Sequence, residues 1–156
     1  MKRKSILLAA FFAALMFVLC PDEGSAQSFA VGSTLENFKL TDTNGTEKSF
    51  ESLKGEKGTV IVFLSAQCPV VKGYNERISQ IADDYQSKGI NFIGINSNAT
   101  ESPEWIKTHA KENYKFPVLI DKDAVLADKL GANVTPEIYY FDANNVLLYA
   151  SKHDNG

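Results

Sequence analysis

The stretch Thr59-Val60-Ile61-Val62-Phe63-Leu64-Ser65-Ala66-Gln67-Cys68-Pro69-Val70-Val71-Lys72 carries the fold of this chain. Its first six residues are apolar or β-branched without a break, the pattern of a strand covered on both faces. Proline at 69 suits the first position of a helix, where the missing N–H had no intrahelical partner. Cys68 therefore lies where a strand hands over to a helix N-terminus. Unpaired amide N–H groups and the helix dipole favour a thiolate there. The competing reading is a buried, inert cysteine.

Working outward, the helix spans about 69–88. Val71, Tyr74, Ile78, Ile81 and Tyr85 recur at three- and four-residue spacing as one apolar stripe. Gly89 is placed to end it. Ile90 to Asn96 follows as a strand, and Ser102-Pro103 opens a second helix, with Trp105, Ile106, His109 and Ala110 on its inner face and Trp105 a core aromatic. Phe116 to Ile120 forms a short strand, and Asp123 to Leu130 a small helix stopped by Gly131. Glu137 to Phe141 and Val146 to Tyr149 make a hairpin. Upstream, Phe38 to Asp42 alternates as a strand and turns at Asn44-Gly45 into a ribbon resumed by Lys48-Ser49-Phe50, while Gln27 to Leu35 is a polar lead-in. Strands and helices alternating over short connections predict an α/β domain with a mixed sheet.

The first 26 residues stand apart. Lys2-Arg3-Lys4 precedes an apolar run from Ile6 to Leu19, and Gly24-Ser25-Ala26 offers small residues before Gln27. This is the pattern of a cleaved signal peptide, so the mature domain is 27–156. It predicts an exported protein, periplasmic or extracellular; an uncleaved N-terminal membrane anchor is the alternative. Thirteen of the sixteen Lys and Arg and seventeen of the nineteen Asp and Glu remain, a mature charge of −4. No basic patch is interleaved with aromatics, which argues against nucleic acid. Cys20 leaves with the leader, so Cys68 has no intramolecular partner. His109 and His153 are far apart and accompany no cysteine pair, so no metal or other cofactor is implied.

The segment Phe63 to Lys72 resembles the strand–cysteine–helix junction of the thioredoxin-like superfamily. Ser49 to Gly55 is similar to what precedes that junction in the redoxin branch, the alkyl hydroperoxide reductase and thiol-specific antioxidant (peroxiredoxin-like) proteins. Gly131-Ala132-Asn133-Val134-Thr135-Pro136 resembles the loop that presents a cis-proline opposite the thiol. The resemblance implies a thioredoxin-like fold, with Cys68 catalytic and Ser65, Pro69, Thr135 and Pro136 contacting substrate. It implies that the Ser65 hydroxyl, three residues before the cysteine, binds peroxide in the peroxidase version.

Three departures qualify the resemblance. Val71 holds the place of a second cysteine, Ile61 replaces the proline that begins the peroxidase motif, and Arg77 lies nine residues past Cys68, about 13 Å along a helix. Lys72 is the nearer cation. Without a resolving cysteine, Cys68 needs an external thiol or disulfide reductant, and its substrate is a peroxide or a protein disulfide. The rival reading is a non-catalytic binding module. The superfamily's final helix has no counterpart after Tyr149. Val146 and Leu148 are expected on one face and Leu147 and Tyr149 on the other, leaving apolar surface for a partner or a further domain.

Overall fold

The computed structural model describes residues 29–151. The expected leader, Cys20 and His153 lie outside the described residues. Seven strands form one mixed sheet in the order β2-β1-β5-β4-β3-β6-β7. They are β1 (Lys39–Asp42), β2 (Glu47–Ser49), β3 (Gly58–Phe63), β4 (Ile90–Asn96), β5 (Val118–Ile120), β6 (Glu137–Asp142) and β7 (Leu147–Ala150). The helices are α1 (Phe50–Leu53), α2 (Pro69–Gln86), α3 (Pro103–Asn113) and α4 (Val125–Leu130). As its unbroken apolar run predicts, β3 is an interior strand, parallel to β4 and antiparallel to β6. Its carboxyl end delivers the chain to Cys68, the N-cap of α2.

Apolar side chains fill both faces of the sheet. One cluster joins Phe50, Ile61, Phe63, Ile93, Ile95, Tyr139 and Phe141 with Leu126 and Leu130 of α4. The other joins Val62 and Leu64 with Val71 and Ile78 of α2 and Ile106 and Ala110 of α3. Gly94 is required where β4 passes beneath that second cluster: a Cβ there would stand 2.9 Å from both the Leu64 and the Val118 side chains.

Five local expectations are corrected. The buried residues of α2 are Val71, Asn75, Ile78 and Ala82, so Tyr74, Ile81 and Tyr85 sit one position off that row and are exposed. Asn75 enters the core because its amide is satisfied, accepting from Tyr114 Oη at 2.5 Å and facing His109 Nε2 at 3.0 Å. Trp105 is 56% exposed, because α3 packs through Ile106 and Ala110, and the preceding residue turns about 100° away at 3.6 residues per turn. The ribbon after β2 breaks into α1, where Ser49 and Ser52 form a capping box.

The segment before β1 is more than a lead-in. Leu35 is 1% exposed, Phe29 packs edge-on against Phe141, and Gly32 and Leu35 donate backbone hydrogen bonds to the β7 side of the hairpin. At that hairpin the faces of β7 differ from simple alternation. A register shift between Tyr140 and Phe141 places Leu147 opposite Phe141 and Tyr149 opposite Tyr140. Leu147 is therefore buried while Leu148 and Tyr149 are both exposed. An open apolar depression of about 550 Å³ does exist on that side, bounded by Val60, Ile81, Tyr85, Phe92, Tyr140 and Tyr149.

Candidate active site

Cys68 is partly exposed at the tip of β3, with extended backbone at φ −66° and ψ 118° before Pro69 starts the helix. Its Sγ lies 3.4 Å from the Thr135 carbonyl oxygen. The Thr135–Pro136 bond is cis, so the loop from Gly131 to Pro136 stands directly across from the sulfur. Burial pushes the thiol up, and is the largest influence on it. The Val71 N–H, a hydrogen bond from the Thr135 side chain and the Val70 N–H together outweigh burial. The thiol is thus held below its ordinary value even though the nearby Glu101 charge opposes ionisation.

Behind the sulfur lies a buried carboxylate that the sequence reading missed. Glu101 is 7% exposed and accepts from Ser65 Oγ at 2.5 Å, Ala66 N at 2.8 Å, Gln67 N at 2.8 Å, Asn96 Nδ2 at 2.7 Å and Asn98 Nδ2 at 3.3 Å. Burial pushes this carboxyl up most strongly, but the donors, Ser65 first, bring it below the usual carboxylate range. The carboxylate ties the β3–α2 turn to the loop after β4.

The same network decides what Ser65 can do. Its single hydroxyl proton goes to Glu101, and its oxygen accepts from Cys68 N at 3.2 Å and Asn98 Nδ2 at 3.4 Å. With the residue 4% exposed, no proton is left to offer a bound peroxide. Arg77 and Lys72 are both exposed on α2, and the expected 13 Å rise to Arg77 stands on a continuous helix. Val71, in the place of a second cysteine, is fully buried under the turn.

A second buried carboxylate was also missed. Glu137 is 2% exposed and accepts from Asn133 N at 2.9 Å, Val134 N at 3.4 Å and Tyr139 Oη at 2.9 Å. It fixes the loop that carries Thr135. Its signal was present: Glu137, Tyr139 and Phe141 share one face at a spacing of two, so the acid had to point inward with the two aromatics. Glu101 had no such signal, because it sits in an irregular loop before the Ser102 N-cap.

Beside Thr135, and sharing Ser65 as a wall, runs an open groove of about 260 Å³. Its floor is made by Ala124, Ala127 and Ala132, and Asn98, Asn133 and Asp128 stand at its polar rim. Among the described residues, no three His, Cys, Asp or Glu side chains gather as a metal centre.

A sequence model of the AhpC/TSA family matches residues 31–150. The chain belongs to the AhpC/TSA family. Among relatives, it is 24% identical over 158 residues to the thiol-disulfide oxidoreductase ResA of Bacillus cereus, covering 95% of this chain and 88% of that one. It is also 24% identical to the thiol:disulfide interchange protein DsbE of Yersinia pestis, over 85% of this chain and 70% of that one. A crystal structure of a conserved protein from Geobacillus kaustophilus superposes with a TM-score of 0.75 at 34% identity, covering 83% of this chain and 72% of the other. The thioredoxin-like architecture and the redoxin branch are thereby shown for this member of the AhpC/TSA family.

Proposed function

We propose that the chain is a thiol oxidoreductase that works by thiol–disulfide exchange through Cys68 alone. The observation that carries this reading is the sulfur at the α2 N-terminus, 3.4 Å from the carbonyl of Thr135 in the cis-proline loop. The names of the ResA and DsbE relatives support the same chemistry. The Cys68 thiolate attacks one sulfur of a substrate disulfide. A new S–S bond joins the two proteins, and the other substrate sulfur leaves as a thiolate with the bonding electron pair. An external thiol then attacks that mixed disulfide and frees Cys68, since Val71 occupies the place from which an internal thiol would act. Thr135 and Pro136 present backbone to the substrate, and Pro69 starts the helix whose N–H groups hold the thiolate. The pattern of residues 1–26 supports export, to a compartment where disulfide substrates are available.

A peroxidase reading draws on membership of the AhpC/TSA family. The engaged Ser65 hydroxyl and the distance to Arg77 weigh against it. A binding module without redox chemistry draws on Val71 in the place of a second cysteine and on the distance of Arg77 from Cys68.

The test uses wild type and Cys68→Ser with a small external thiol and either a disulfide-bonded protein or hydrogen peroxide. Wild type is expected to form a thiol-reversible adduct with the disulfide substrate and to reduce it catalytically, and the variant to do neither. Equal behaviour of the two proteins toward both substrates would establish the module reading instead.

A further inference from the structure

We infer that the groove beside Thr135 is a subsite for a basic side chain flanking the reacting cysteine of the substrate. This rests on the exchange reaction proposed for Cys68. The groove begins at Ser65 and Thr135, both within hydrogen-bond reach of Cys68, and runs over Ala124, Ala127 and Ala132 to Asp128. Its walls are short, so an extended substrate passing Thr135 can lower a long side chain into it. At about 3.3 Å per residue in an extended strand, a side chain one or two positions from the cysteine spans the floor.

Charge selects which side chain that is. Asp128 is the one ionisable residue lining the groove, and it is exposed. Among the described residues it takes part in no ion pair, whereas its neighbour Lys129 is engaged with Glu36 at 2.8 Å. No cation lines the groove, and Lys72 belongs instead to the depression along α2. The alanine floor suits the methylene stem of a lysine or arginine, whose charged end then reaches Asp128 at the wet rim. An acidic side chain in the same place would meet a like charge with nothing to offset it.

The test uses short peptides whose cysteine is joined to thionitrobenzoate, differing in lysine or glutamate two residues from the cysteine. Attack by Cys68 forms the protein–peptide disulfide, breaks the peptide–thionitrobenzoate bond, and releases the coloured thiolate one for one. The lysine peptide is expected to react about two- to fivefold faster, the range of a partly solvated ion pair. That ratio should shrink with added salt, over a Debye length of about 10 Å at 0.1 M. Asp128→Asn should abolish the preference. Asp84→Asn, which removes the same charge sixteen residues along α2 from Cys68, should leave it intact. A ratio that responds equally to the two substitutions, or to neither, overturns the subsite while leaving the exchange reading standing. Failure of every peptide to release thionitrobenzoate overturns the exchange reading, and the subsite with it.

Discussion

Two buried carboxylates hold the two banks of the site, and they do so differently. Glu101 gathers three side-chain donors and two backbone N–H groups on the cysteine bank. Glu137 gathers two backbone N–H groups and one phenol on the proline bank. Both answer the same physical demand, since loops that must stay ordered without strand pairing need their N–H groups satisfied from somewhere. The difference lies in what each charge does to the sulfur. Glu101 is close enough to oppose ionisation of Cys68, so it orders the nucleophile's turn at a cost in acidity. Glu137 faces Asn133, Val134 and Tyr139 and serves order alone. Shape and reactivity are thus separable on one bank and entangled on the other.

The largest expected effect follows from the donor count. Glu101→Ala strands five donors and should lower stability by about 3 kcal/mol, against about 1–2 kcal/mol for Glu137→Ala. Urea midpoints read at constant m-value measure both. Equal losses would mean that the cysteine bank reorganises around water and that the ranking of the two banks is wrong.

Acid comes next in size. The Glu101 carboxyl is depressed in the folded chain below an unfolded value of about 4.3. Its contribution is therefore complete above that unfolded value and is lost as pH falls through the folded one. His109 adds to the same limb. Burial first of all holds it below the ordinary imidazole value, and its contribution likewise fades as pH falls through the lowered value. Stability should decline on acidification in wild type, and Glu101→Gln should flatten the part of the decline below about pH 4.5. The neutral variant also separates order from reactivity. With its charge gone, the pH midpoint for alkylation of Cys68 should move down, while Glu137→Gln leaves it in place. An upward move would show that the Val70 and Val71 N–H groups lose their aim without the carboxylate, so that order dominates charge on this bank.

Sequence pattern reached one bank further than the other. The apolar run into Cys68-Pro69 placed β3, α2 and the sulfur, because a doubly covered strand and a proline-started helix leave strong local marks. The loop at Thr135-Pro136 was placed by resemblance to redoxins, and the alternation of Glu137, Tyr139 and Phe141 held enough to turn the acid inward. Glu101 was illegible. Nothing periodic distinguishes it from Glu104 three residues later, and only the tertiary approach of the 65–67 turn makes it a buried acceptor. The faces of α2 and β7 failed for a related reason. A satisfied Asn75 moved the buried row of the helix by one residue, and a register shift at Tyr140 moved the faces of the strand. In each case a polar or backbone partner distant in sequence overrode the local pattern.

The smallest effect tests whether Glu137 holds its loop through the backbone. Tyr139 is fully buried, its ring edge-on to Phe63 at 5.7 Å, and its hydroxyl donates to Glu137 Oε1 while Oε2 takes the N–H groups of Asn133 and Val134. Burial, then the Glu137 carboxylate, push the phenol well above its ordinary value, so it is a permanent donor at any working pH. Tyr139→Phe keeps the ring contact and removes one donor of three. The cost should be about 1 kcal/mol, and the rate of mixed-disulfide formation at Cys68 should not change, because the bonds that fix Thr135 opposite the sulfur are the two that remain. A slower rate at unchanged stability would move the hold on the proline bank from the loop's own amides to the aromatic beneath it.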